Sequence, residues 1–390
     1  MKLAARLREI TVSQTLALKA ESDRLRAAGK SIVDLGVGEP DFDTPAHVKE
    51  AGIEAIRANF THYTVTAGIG ELRTAIAARY RERDAAGWTA EQVMVGCGAK
   101  NVLFALSMAL WGPGDEVAIF SPYWVSYPDQ IRLAGARPII IPAREADGFV
   151  PRAEALAARL TPATRGVILN TPCNPSGATI PRAELAAFAR LAVEKDLMLI
   201  SDEVYEAFTY DGEHHASLAA FHAELEDRLI IVSALSKSYA MTGWRAGYAV
   251  GPVEAIRGAL KILSHDSSQA SSISQRAALA ALAGPQGPLD AMRAEYERRR
   301  NFLHRALSEL PGLRGRRPAG AFYYFPNVSG LAERMGLASS NEVATRLLQV
   351  AGCATIPGEA FGMPGYLRLS YAAPMAALEE AVRRIRDAAA

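Results

Sequence analysis

The stretch "RLIIVSALSKSYAMTGWRAGYAVG", residues 228–251, reads as two apolar strands joined by a polar turn. "RLIIVS" (228–233) has no polar alternation, as expected of a strand buried on both faces, and "AGYAVG" (246–251) reads the same way. Between them stand Lys237, set between two serines, and Arg245, just after Thr242-Gly243-Trp244. A generic lysine is solvated, but one just past a buried strand is partly desolvated. Its pKa falls, which suits a nucleophilic or Schiff-base amine. Arg245 has a bland reading as a surface ion-pair partner and a functional one as a fork for phosphate oxygens.

The same strand pattern recurs outward from this stretch. "EQVMVG" (91–96), "DEVAIF" (115–120), "ARPIIIP" (136–142), "RGVILN" (165–170) and "LMLIS" (197–201) are further strand candidates. Helical patterns such as 101–110 and 182–195 separate them. Seven such runs spaced by helices predict an α/β fold, with a mostly parallel seven-stranded sheet covered by helices on both faces. "GPQGPL" (284–289) breaks the pattern. A charged helical segment (290–310), shorter strand candidates (320–326 and 366–372) and a final amphipathic helix follow. The expected organisation is a large domain over 45–285 and a smaller α+β domain over 286–390, completed in part by an N-terminal arm, 1–44.

Composition narrows the function. The 390 residues are 49% hydrophobic and 22% charged, the balance of an ordinary globular protein. A net charge of +1 gives no electrostatic reason for a nucleic-acid or anionic-membrane partner. Cys97, Cys173 and Cys353 are far apart with no CxxC pair, which argues against a disulfide framework or a zinc site. The N-terminus lacks the apolar core of a signal peptide, and no apolar run approaches the ~20 residues that span a bilayer. A cytoplasmic protein is expected.

In open parallel sheets, ligands bind beyond the carboxyl ends of the strands. There the sequence sets "GCGAK", "SPYWVSYP", "NTPCNPSG", "DEVY" and "SALSK". Gly96, Gly98 and Ala99 would let N–H groups at a helix start approach an anion, though a tight strand–helix turn explains them equally. Asp202 ends a buried strand, where a carboxylate either caps structure or faces a cation such as a protonated ring nitrogen. Tyr205 would present its hydroxyl on the same side. Trp124 is either core or a flat face on which a planar ring stacks. Together these residues describe a planar, cationic heteroaromatic ring bearing an aldehyde and a phosphate, which is pyridoxal phosphate. Lys237 and Arg245 would hold its opposite ends, with Thr242 and Gly243 letting the chain turn around the phosphate.

From "GVGEPDFDTP" (36–45) to "YLRLSYA" (366–372), the chain resembles the fold-type I, class I/II aminotransferases, most closely the bacterial aspartate-aminotransferase-like subgroup. The resemblance implies roles. Lys237 matches the lysine joined to the cofactor's aldehyde, and Asp202 the acid paired with the pyridine nitrogen. Tyr205 and Asn174 match the groups that hydrogen-bond the ring's phenolic oxygen, and Trp124 the stacking aromatic. Arg245 matches the phosphate-binding arginine and Ala99 and Lys100 the backbone donors of the turn that Gly98 opens, with Tyr63 reaching the phosphate of the neighbouring subunit of a homodimer; Ser236, beside the lysine, could add a hydroxyl. Arg368 and Gly38 match the groups that hold the substrate α-carboxylate. The chain departs from relatives in reading Ala99 where "GGK" is frequent, Cys173 and Ser176 where "NNPTG" is frequent, and "SHDSSQASSISQ" (264–275) where an Asn-Pro pair is frequent.

The implied activity moves an amino group from an L-amino acid to a 2-oxo acid such as 2-oxoglutarate, by a ping-pong mechanism. Aspartate is the expected donor, with neutral, aromatic or basic donors open. The segment 264–272 carries no arginine for a second carboxylate, and the helix after Lys100 presents Met108; Ser13 and Thr15 could hydrogen-bond one. The alternatives are a C–S β-lyase on the same cofactor and a non-catalytic sensor domain. A Rossmann dehydrogenase lacks its GxGxxG and leaves Lys237 unexplained.

Overall fold

The computed structural model describes residues 1, 3–11 and 14–389. Ser13 and the Thr15 side chain, named above as possible carboxylate partners, lie outside the described residues. Seven strands form the main sheet: β1 (Val93–Gly96), β2 (Glu116–Ser121), β3 (Arg137–Pro142), β4 (Thr164–Asn170), β5 (Met198–Asp202), β6 (Leu229–Ala234) and β7 (Gly247–Val250). Their order is β1-β7-β6-β5-β4-β2-β3. All neighbours from β6 to β3 are parallel, and β7 alone runs antiparallel to both strands beside it.

The lack of polar alternation has a direct structural cause. Val93 and Val95, Ala118 and Phe120, Val167 and Leu169, and Leu229 and Ile231 pack into one core. The residues between and beside them, Met94, Val117, Ile119, Ile168, Ile230 and Val232, pack into a second core. Successive side chains point to opposite faces, and both faces are dry. Leu72, Ile76, Leu185 and Phe188 cover the first face from helices Gly70–Asp84 and Arg182–Lys195. Val102, Leu106, Ile256 and Leu263 cover the second from Ala99–Leu110 and Val253–His265. Each fully buried Ile, Leu or Phe contributes about 1.5–3 kcal/mol.

Apart from β1 at the far edge, chain order runs outward in both directions from the β4/β2 boundary, so that boundary is a switch point, and a ligand crevice is expected at its carboxyl end. Elsewhere the boundaries move. The helix expected over 101–110 starts at Ala99, because Gly98 (φ +86) takes a left-handed turn straight out of β1. The break at 284–289 is shorter than expected: helix Gly287–Ser308 already contains Pro288, whose missing N–H is tolerated in a first turn. The strand expected over 320–326 shrinks to Tyr323–Tyr324 (β8), ahead of Pro326. With Ile356–Pro357 (β9) and Leu367–Ser370 (β10) it forms an antiparallel sheet, order β9-β10-β8. Val33–Asp34 pairs in parallel with Cys353–Ala354, bringing the arm to the C-terminal part of the chain. Among the described residues, no helix is long and apolar enough to cross a membrane.

Candidate active site

The carboxyl ends of β2, β4, β5 and β6 open into one cavity of about 420 Å³. Gly38, Ala99, Lys100, Trp124, Asn174, Asp202, Tyr205, Ser236, Lys237, Arg245 and Arg368 all line it. Gly98 sits beside them at the start of the Ala99–Leu110 helix. Tyr63 does not join them: it is 90% exposed and away from the lining.

Lys237 follows β6 on a single helical turn, Leu235–Ser238. Its Nζ donates to Gly38 O at 2.5 Å. Burial, aided by Arg368, Arg245 and Lys100, pushes its amine down to about 8, while Glu39 acts in the opposite sense. Asp202 ends β5 and is buried. Its Oδ2 accepts from Tyr127 Oη at 2.6 Å and its Oδ1 from the Val204 N–H at 3.2 Å. Burial nonetheless pushes its carboxyl up to about 6, so it is a charge that lacks a cation.

Arg368 lies on β10, 3% exposed. Its guanidinium donates to Asn174 Oδ1 at 2.9 Å and to Gly36 O at 2.6 Å, and stacks 4.5 Å from the Tyr323 ring centroid. Its Nε is buried without a partner. A buried guanidinium held at its edges, with a donor to spare, has the chemistry to receive a carboxylate. Asn174 is aimed by its own N–H, which donates to Asn170 Oδ1 at 2.8 Å. Tyr205 and Tyr323 share a hydrogen bond at 2.7 Å.

Arg245 and the start of the Ala99–Leu110 helix form another part of the lining. Arg245 donates to Thr242 O at 3.0 Å and Cys97 O at 3.1 Å. A Cβ on Gly98 would meet the Arg245 guanidinium at 2.5 Å, and one on Gly247 would meet Ala99 N at 2.4 Å. Only glycine lets these backbones close around the helix start. The turn between Lys237 and Arg245 is made differently than expected: the left-handed residues are Ala240 (φ +50) and Arg245 itself (φ +55), not Gly243. Lys100 Nζ stands 5.0 Å over the Trp124 ring, with no ion-pair partner among the described residues.

Four residues were not singled out in the sequence. Tyr127 lies inside "SPYWVSYP", and the first turn of a helix aims it at Asp202. Tyr323 lies in "GAFYYFP", where strand alternation sends it and Tyr324 to opposite sides. Asn170, at the end of β4, donates to Asp202 O at 3.0 Å. Glu39 accepts from Thr242 Oγ1.

Asp202 has a measurable consequence. An acid whose folded pKa is raised contributes most below its unfolded value and loses that contribution as pH rises through the folded one. The shift from 3.8 to about 6 therefore weakens the ligand-free fold across that interval, by ~3 kcal/mol. Asp202→Asn is expected to stabilise the ligand-free protein at pH 7.5 and much less at pH 4.5. Thermal unfolding at both pH values checks this; equal gains at the two would contradict it.

The aminotransferase class I and II family model matches residues 30–385. The chain is 39% identical over 386 residues to an aspartate aminotransferase of Bacillus subtilis, covering 99% of this chain and 98% of that one. It is 41% identical over 388 residues to a probable aspartate/prephenate aminotransferase of Aquifex aeolicus, with 99% and 98% covered. A solved structure of the Thermus thermophilus aspartate aminotransferase with maleate superposes with a TM-score of 0.94 at 39% identity, covering all of both chains. The chain belongs to the aminotransferase class I and II family, and it is a transaminase.

Proposed function

We propose that this transaminase uses pyridoxal phosphate to move the amino group of aspartate to a 2-oxo acid such as 2-oxoglutarate. The observation that carries the reading is the meeting of buried Asp202, the Lys237 amine and buried Arg368 in one cavity. The residues fit the cofactor. Arg245, Ser236 and the N–H groups of Ala99 and Lys100, closed in by Gly98 and Gly247, suit its phosphate. Asp202 suits its ring nitrogen, which is the missing cation. Trp124 suits its face, and Tyr205 and Asn174 its phenolic oxygen. When bound, the cofactor supplies a ring that accepts the electron pair left when the substrate's α C–H bond breaks.

The chain supplies the rest. Arg368, with the Gly38 backbone, grips the α-carboxylate and sets the α C–H bond for cleavage. Lys237 Nζ, with a pKa near working pH, takes the α-proton and returns one in the reverse half-reaction. Tyr127 keeps the Asp202 carboxylate oriented. Purified protein is expected to absorb in the visible, to release at most one oxaloacetate per site from aspartate alone, and to turn over repeatedly only when a 2-oxo acid is present. Colourless protein, or pyruvate and ammonia released from cystathionine without a 2-oxo acid, would refute it.

Lys100 supports a dicarboxylate donor. Its ammonium, without an ion-pair partner among the described residues, lines the same cavity as Arg368, so a second carboxylate has a cation to meet. A relative's structure holds maleate, also a dicarboxylate. Lys100→Gln is expected to lower kcat/KM for aspartate by about 10–100-fold and to leave alanine within a few-fold. Equal losses for both donors would remove Lys100 from side-chain recognition.

The assembly proposed is a cytoplasmic homodimer in which Tyr63 completes the neighbouring subunit's phosphate site. Ile53, Ile56, Tyr63 and Val65, all large and exposed within one stretch, support it. The domain division proposed remains 45–285 and 286–390 with the arm 1–44, supported by the pairing of Val33–Asp34 with Cys353–Ala354.

A further inference from the structure

A short run of backbone, residues 36–39, is bonded to both ends of the cavity. Gly36 O accepts from Arg368, at the carboxylate end, and Gly38 O accepts from Lys237. Glu39 reaches the phosphate end: its carboxylate accepts from Thr242 Oγ1, and the Thr242 carbonyl accepts in turn from Arg245. One carboxylate thus links the turn that carries Arg245 to the segment that touches Lys237.

We propose that Glu39 is a positioning residue that ties the Thr242–Arg245 turn to the 36–39 segment and supplies the negative charge that balances Lys237. The proposal rests on the cofactor reading above. Two independent features carry it. The first is geometric: Thr242 and Glu39 lie far apart in sequence, and their side-chain bond joins the cavity-lining Thr242 to the residue that follows the cavity-lining Gly38. The second is the charge arrangement. Arg368, Arg245 and Lys100 are the cations acting on Lys237, and Glu39 is the carboxylate opposing them. Asp202 also lines the cavity, but Tyr127 and the Val204 N–H engage its oxygens. Glu39 therefore acts on Lys237 in the sense opposite to burial and these cations.

Two substitutions separate the roles. Glu39→Gln keeps an acceptor for Thr242 and removes the charge; Thr242→Val keeps the charge and removes the bond. Both are purified, loaded with pyridoxal phosphate and checked for folding by thermal melting. In Glu39→Gln the pH midpoint of the visible absorbance is expected about 0.5–1 unit lower than in the parent. In Thr242→Val the midpoint is expected to stay and cofactor loss during dialysis to quicken about 3–10-fold. A Glu39→Gln titration that superimposes on the parent overturns the charge role. Unchanged cofactor loss from Thr242→Val overturns the tie. A parent protein with no pH-dependent visible absorbance fails earlier, at the cofactor reading, and that outcome is distinct from both.

Discussion

Lys237→Ala is expected to lower the transamination rate by at least about 10³-fold while the protein stays folded. Two losses combine: the covalent anchor for the cofactor, and the group that moves the α-proton. The fold should tolerate the change because the Lys237 amine makes one hydrogen bond, to Gly38 O, and its removal takes a desolvated amine out of the cavity. An amine whose folded pKa is depressed from 10.5 to about 8 destabilises the fold progressively as pH falls from the higher value to the lower, and by the full amount below it. Lys237→Ala should therefore match or exceed the parent in melting temperature at pH 7 in the ligand-free state. Stopped-flow turnover of aspartate measures the first expectation and calorimetry the second. Activity within tenfold of the parent would remove Lys237 from the mechanism.

Arg368→Lys is expected to lower kcat/KM by about 10²-fold for every amino acid, through KM more than through kcat. Charge is conserved in this substitution and geometry is not. The guanidinium reaches Asn174 Oδ1 and Gly36 O from one planar group and still has its Nε free. An ammonium cannot hold both neighbours and a two-oxygen ligand at once. A primary amine that lacks the α-carboxylate should react equally slowly with both proteins. If Arg368→Lys slows that amine as well, the residue acts on the fold rather than on the carboxylate.

The sheet was legible because its inner strands are apolar on both faces, as in "RLIIVS"; the edge strand Arg137–Pro142 is apolar in sequence but buries one face, with Ile140 exposed. Asp202 and Lys237 could be singled out as candidates because each ends or closely follows such a run. Less legible were groups placed by tertiary folding. Tyr323 reaches Tyr205 from the small antiparallel sheet, and Glu39 reaches Thr242 from the arm. Neither separation carries a pattern in the sequence. The sequence points to the Lys100 backbone N–H, whereas its side chain stands over Trp124, a placement that depends on the tertiary fold. Helix 14–27 brings Leu18, Lys19 and Ser22 to the cavity wall, although its own periodicity gave no reason to separate it from an ordinary surface helix.

The left-handed backbones at Ala240 and Arg245 bear on how this turn can be changed. Each holds a side-chain-bearing residue where about 1–2 kcal/mol favours another conformation. Ala240→Gly would release that strain locally, but it would also free the unfolded chain and loosen the spacing between Lys237 and Arg245. The turn is thus a calibrated spacer. Stabilising substitutions chosen for backbone comfort alone should be steered away from it, and those placed on the sheet-covering helices should be more neutral to catalysis.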